Sequence, residues 1–310
     1  MKILRNIVLS VLGLAVVMGG FVLLSNVKVQ KKDTRLQVVA SFYPMAEFAR
    51  AVGGKNANVV TLVKPGLEPH DYEPTPQDLA KIYGSDLFVY NGAGLESAWV
   101  DKIQPQLDQS NTFTVDASYK VKLLSRDPSD SENKSATDPH VWMDPELAVK
   151  EVSAITLGYI AVDGKNARTY QENADAYIKK LNELHAAFTS GLAQCQSHDI
   201  VTSHQAFSYL AKEYGLTATG IAGLSPDNEP SPQKLAQIAD LAKANNVKYI
   251  FFESLVSPKL SQTIASEVGA QTIEFNPLEG LTNAEVKAGK NYLSVQQDNL
   301  QALRTALSCT

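Results

Sequence analysis

The chain has 310 residues, 44% of them hydrophobic and 20% charged, which is material for about two domains with a substantial buried core. A net charge of −5, with no basic stripe beyond residues 28–35, excludes nucleic acid as a partner.

Lys2 and Arg5 precede an apolar run over residues 7–24, and Lys28, Lys31 and Lys32 follow it. A secretory apolar segment is ~7–15 residues long and a membrane-spanning helix needs ~18 or more. The run therefore reads as an uncleaved anchor, with the remainder of the chain on the extracytoplasmic face of the membrane. The alternative is a signal peptide cut near Ser25, leaving a secreted or periplasmic protein. No small-residue cleavage motif follows the run, and no cysteine stands at its end, which excludes a lipid-modified N-terminus. Residues 1–35 are accordingly read as anchor and basic linker.

Residues 36–42 form an apolar strand, 44–52 a helix and 59–63 a second strand. The loop that follows carries His70 among prolines. Thr75 then caps a helix with Pro76 at its first position, running to about residue 83. Residues 87–90 and 112–115 are further strands. A polar run over 125–137 separates them from Asp138-Pro139-His140-Val141-Trp142-Met143-Asp144-Pro145, where Asp144 caps the next helix and Pro145 opens it. Residues 166–192 lack proline, carry glycine only at Gly191, and repeat apolar residues at helical spacing: Tyr170, Ala174, Tyr177, Leu181, Leu184 and Phe188. Strands return at 200–203, 217–221, 248–252 and 272–275, with a helix expected over 205–214. Strands alternating with helices define an α/β fold of mostly parallel sheets.

One segment repeats. Glu73-Pro74-Thr75-Pro76-Gln77-Asp78-Leu79-Ala80 is echoed by Glu229-Pro230-Ser231-Pro232-Gln233-Lys234-Leu235-Ala236, and both open a helix leading into an apolar strand. We read two related (βα)-type lobes, each with a mostly parallel four-stranded sheet, at 36–165 and 195–310. One long rigid helix, 166–194, joins them. Such a linker predicts a site that opens by small tilts and loop movement. Cys195 and Cys309 are the two cysteines. In an oxidising compartment a disulfide is expected between them, tying the C-terminal helix to the start of the second lobe; two free buried thiols are the alternative.

His185, within the long helix, and His198, in a polar turn, read as solvated or structural. His70, His140 and His204 each occupy a loop or a strand-to-helix junction. In open α/β sheets, ligands bind beyond the carboxyl ends of strands. Past the last strand, Glu279 supplies the anionic donor, since Asn276 offers only a neutral amide oxygen. Three imidazoles and a carboxylate suit Zn2+, which favours four tetrahedral ligands, over Mn2+, which prefers more oxygens.

Glu68-Pro69-His70-Asp71-Tyr72-Glu73-Pro74, the His140 segment above and Thr202-Ser203-His204-Gln205-Ala206-Phe207 resemble the three ligand motifs of the metal-binding solute-binding proteins of ABC importers. Leu224-Ser225-Pro226 and Phe252-Glu253 also match that family's pattern, so the resemblance covers roughly residues 36–308. It implies two lobes joined by a long helix, with one metal between them. A histidine at position 204 is similar to the zinc branch, whereas the manganese and iron branch usually has glutamate. Many members carry an aspartate ligand where Asn276 stands. Here the Asn276-Pro277-Leu278-Glu279 pattern resembles zinc binders in which the later glutamate completes the site. The His-rich loop of many zinc members has no counterpart in 125–137, and the usual lipoprotein cysteine is missing.

The expected function is that of a monomeric extracytoplasmic zinc receptor with no catalytic residues. It would hold Zn2+ through His70, His140, His204 and Glu279 and pass it to a membrane permease driven by a cytoplasmic ATPase. A manganese or iron receptor of the same family is the alternative. A zinc hydrolase is disfavoured, because there is no His-Glu-x-x-His helix and no general base beside a vacant coordination position. Adhesion at the cell surface is compatible with metal binding.

Overall fold

A run of β-branched and apolar residues makes β1 (Leu36–Ala40), which lies in the middle of a sheet. It pairs in parallel with β2 (Ala57–Thr61) on one side and β3 (Leu87–Tyr90) on the other, and β4 (Phe113–Asp116) adds to β3. The second half of the chain builds β5 (Asp199–Thr202), β6 (Thr217–Gly220), β7 (Tyr249–Phe252) and β8 (Gln271–Glu274), again all parallel. The strand orders are β2-β1-β3-β4 and β6-β5-β7-β8, the same winding twice. The computed structural model describes residues 33–125 and 137–310. The anchor expected over 7–24 and most of the polar run over 125–137 lie outside them. Among the described residues no helix is long and apolar enough to cross a membrane.

Parallel strands need crossover helices, which cover both faces of each sheet. In the first lobe these are α1 (Tyr43–Gly53), α2 (Pro76–Tyr83), α3 (Ser97–Leu107) and α4 (Pro145–Val162). The second has α6 (Ser208–Glu213), α7 (Pro232–Ala244), α8 (Lys259–Val268), α9 (Asn283–Lys287) and α10 (Tyr292–Ala306). The repeated segment opens equivalent helices, α2 and α7. Thr75 accepts from the Asp78 amide while the Asp78 carboxylate accepts from the Thr75 amide. Ser231 accepts from the Lys234 amide, and lysine at that place cannot return the bond.

Between the lobes runs α5 (Ala167–Gly191), 25 residues and therefore ~38 Å long. It buries Tyr170, Ala174, Tyr177, Leu181, Leu184 and Phe188, the stripe expected from periodicity. One hydrophobic core spreads from the α1 face of the first sheet, through this stripe, to the α10 face of the second; Phe48, Trp142, Leu181, Phe207, Phe275 and Tyr292 all belong to it. Separate clusters cover the outer faces, around Phe88 and Trp99 in one lobe and Val201 and Ile250 in the other. The lobes thus share a close-packed interior, which resists wide hinge bending.

Two expected elements are shorter than their apolar patterns. β1 ends at Ala40, because Ser41 and Phe42 already turn into α1. The helix expected over 205–214 begins only at Ser208. The Gln205 amide donates to the Gly223 carbonyl, and its side-chain oxygen accepts from the Gly220 amide, so residues 205–207 are held against the neighbouring loop. Cys195 and Cys309 are bonded, and the chain end is laced to the same place by Gln196 N–H donating to the Leu307 carbonyl.

Candidate metal centre

Each of the three histidines follows the carboxyl end of a strand: His70 after β2, His140 after β4 and His204 after β5. Glu279 follows β8. Although scattered over more than 200 positions of sequence, their donor atoms all lie within 4.8 Å of one another. Glu279 Oε1 is 3.0 Å from His70 Nε2 and 3.1 Å from both His140 Nε2 and His204 Nε2. The last two nitrogens are 3.3 Å apart. His140, His204 and Glu279 are buried, and His70 keeps 9% of its side chain exposed, marking the side nearest solvent. His198 stays exposed and outside the cluster; His185 is half-buried elsewhere.

The rings are aimed by groups behind them. Asp138 Oδ1 lies 2.8 Å from His140 Nδ1 and accepts from the His140 amide at 2.9 Å. Glu253 Oε1, at the end of β7, does the same for His204, at 2.8 Å from Nδ1 and 3.2 Å from the amide. A ring protonated at Nδ1 presents its Nε2 lone pair to the centre, the arrangement that orients metal-bound imidazoles. Sequence reading quoted both carboxylates within motifs without seeing this role. The signal for Asp138 was its place two residues before His140; for Glu253 it was its place at a strand's carboxyl end.

Asn276, outside the cluster, builds the loop. Its Oδ1 accepts from the Leu278 amide at 2.8 Å, and its Nδ2 donates to Ser254 and Glu285. Leu278 adopts a left-handed φ of 59°, costly for a branched side chain, immediately before Glu279. Trp142 Nε1 donates to the Pro277 carbonyl, Tyr292 donates to the Trp142 carbonyl, and Tyr209 donates to the Asp138 carbonyl. The His140 loop is therefore pinned by residues of the second lobe. At Gly220 a Cβ would meet Gln205 N at 2.5 Å and the carbonyl carbon of His204 at 2.8 Å, so the turn behind His204 needs glycine.

The electrostatics follow from burial and from these partners. Burial disfavours a charged His140 ring, but Asp138 and then Glu279 more than reverse this and raise its pKa. His204 rises well above the ordinary value, burial being outweighed by Glu253 and Glu279. Burial lowers His70 against the pull of Glu279. Burial would raise Glu279, yet the charges of His204 and His70 and the imidazole hydrogen bonds hold it well below the carboxylate range. Glu68 is pushed up to about 10 by burial and by the Glu279 charge. Protons on His140 and His204 thus balance Glu279, and a divalent cation would displace them. Glu279 Oε2 is buried without a partner.

Two lobes of equal topology, joined by a long helix and meeting around converging donor atoms, define a solute-binding protein of the rigid-linker class. The sequence profile of the ZnuA family, the periplasmic component A of a zinc-uptake complex, matches residues 38–306. The chain belongs to that family, whose members are receptors and not enzymes. It is 40% identical over 284 residues to the high-affinity zinc uptake system protein ZnuA of Bacillus subtilis, covering 89% of each chain. The crystal structure of the Zn(II)-bound ZnuA-like domain of Streptococcus pneumoniae AdcA matches with 41% identity and a TM-score of 0.77, over 88% of this chain and 99% of that one. Against the full zinc-binding lipoprotein AdcA, the match spans 56% of that protein's length. The structure of the laminin-binding protein Lmb of Streptococcus agalactiae, described as a bifunctional protein with adhesin and metal transporting activity, matches with 36% identity over 88% of this chain and 99% of that one, with a TM-score of 0.80.

Proposed function

We propose that this chain captures one Zn2+ through His70, His140, His204 and Glu279, between a lobe at 36–165 and another at 195–310. It does so outside the cytoplasm and passes the ion to the permease of an ATP-driven importer. The observation that carries the reading is the donor spacing. A tetrahedral zinc with bonds of ~2.0–2.1 Å has edges of about 3.3 Å. The Nε2 and Oε1 atoms here stand 3.0–3.3 Å apart in the pairs given above. Manganese asks for more oxygens, and the neighbouring carboxylates of Asp138 and Glu253 are occupied by imidazole Nδ1 atoms. Four donors also leave no open position for a catalytic water. Delivery then requires the cross-lobe bonds of Trp142, Tyr209 and Tyr292 to yield, a movement of loops and not of whole lobes.

The test is elemental analysis of the purified full chain after dialysis against equal Zn2+ and Mn2+. One zinc per chain is expected, with a loss of affinity by orders of magnitude in His140→Ala. Preferential retention of manganese, or full zinc retention by His140→Ala, would overturn the reading. The likeness to the S. agalactiae protein favours a second role in adhesion; absence of saturable binding to immobilised laminin would remove it.

A further inference from the structure

Glu146, His185 and Glu213 come from three helices: the first turn of α4, the C-terminal part of the linker α5 and the end of α6. One donor atom from each lies within 4.8 Å of the other two. His185 Nε2 is 3.8 Å from Glu146 Oε1, and its Nδ1 lies 3.1 Å from the Tyr214 hydroxyl, which is outside the triad. A ring protonated at Nδ1 donates to Tyr214 and leaves its Nε2 lone pair facing the Thr189 hydroxyl, at 3.5 Å, and the carboxylates beside it. The His185 and Tyr214 rings pack with centroids 5.7 Å apart, which holds that orientation. Neither Glu146 nor Glu213 forms an ion pair with a lysine or arginine among the described residues. Two carboxylates from different lobes are thus brought together beside one imidazole, with no lysine or arginine paired to them among the described residues. Unlike the buried centre, the triad is open to solution: both glutamates are exposed and the histidine is half-buried.

We propose that Glu146, His185 and Glu213 form a second binding site for a borderline divalent cation of the Zn2+ class. One imidazole and two carboxylates, with solvent filling the remaining positions, suit such an ion. Three exposed donors bind more weakly than four buried ones, so this site fills only after the central one. An ion held there ties α4 of the first lobe and α6 of the second to the linker helix, and so strengthens the arrangement that keeps the central site closed.

The experiment is a calorimetric titration of the full chain with Zn2+ alone, begun after one equivalent has been bound. A second event is expected, weakened at least tenfold in His185→Ala and in Glu213→Gln, with the first event unchanged. Glu213→Gln removes an exposed carboxylate, so it separates ligand loss from any packing loss caused by His185→Ala. The second ion should also raise the melting temperature of the once-loaded protein, and should not do so in Glu213→Gln. The event should persist in His140→Ala/His204→Ala, which makes its outcome independent of the central site. Saturation of the wild type at one ion, or a second event of equal affinity in both variants, would overturn the proposal.

Discussion

Replacing Asp138 by asparagine tests how the structure prepares an imidazole for a metal. Asp138 Oδ1 serves both the His140 amide, at 2.9 Å, and His140 Nδ1, at 2.8 Å, while Oδ2 is buried without a hydrogen bond. An asparagine with its oxygen in place loses the charge that makes the ring a strong donor. It also puts a buried NH2 where Oδ2 stood, a group that is costly to leave unpaired. An asparagine turned the other way presents donors to Nδ1 and drives the ring toward the Nε2–H tautomer, whose proton occupies the metal-facing position. Loss of such a supporting partner costs roughly 10–100-fold in metal affinity, or about 1.4–2.7 kcal/mol. The assay is competition with a chromogenic zinc chelator at neutral pH, beside melting curves of the metal-free proteins. A folded Asp138→Asn whose affinity stays within about twofold of the wild type would refute the reasoning, given the loss expected for such a partner. Glu253→Gln should act in the same direction through His204.

Glu96 is raised to about 7, chiefly by burial, and Glu151 lies well above its ordinary value for the same reason, with Glu96, Asp116 and Asp144 adding like charge. Both Glu151 oxygens are buried without partners. Carboxyls with raised folded pKa values hold protons that the unfolded chain releases above about pH 4.5, so the stability these two groups contribute is greatest below that value and falls as pH rises toward 7 and beyond. Glu96 alone accounts for ~3 kcal/mol over that window. Glu151→Gln should flatten the fall, and parallel stability–pH curves for the two proteins would contradict it. The Cys195–Cys309 bond closes a separation of 114 residues, worth up to about 4.7 kcal/mol by chain entropy. Cys309→Ser should therefore lower the denaturation midpoint, and an unchanged midpoint would show that the hydrogen bonds around Leu307 suffice. Zinc at 1,000 times its dissociation constant should stabilise the wild type by about 4.1 kcal/mol, and this gain should shrink strongly in His140→Ala.

Much of this architecture could be read from local pattern. The stripe from Tyr170 to Phe188 announced α5, Thr75, Asp144 and Ser231 announced helix starts, and the duplicated Glu-Pro-x-Pro segment announced two lobes. These are short-range effects: helical periodicity, caps and proline geometry act within a few residues. The same reading overran at 205–207, where hydrogen bonds to residues 220 and 223 compete with helix formation.

The linear order of residues determined which side chains are candidates for metal chemistry, where most of the helices begin and that the fold is built twice. Only the folded chain showed how Glu279, the donor already expected from sequence, reaches the centre: a left-handed Leu278 held by the Asn276 amide oxygen turns the following carboxylate inward. It likewise decided that Asp138 and Glu253 stand behind two of the rings, and that His185 meets glutamates from two other helices. The Glu253–His204 contact and the meeting of His185 with its glutamates join residues tens of positions apart, and even the two-residue Asp138–His140 contact depends on side-chain geometry, neither of which helical or strand pattern encodes.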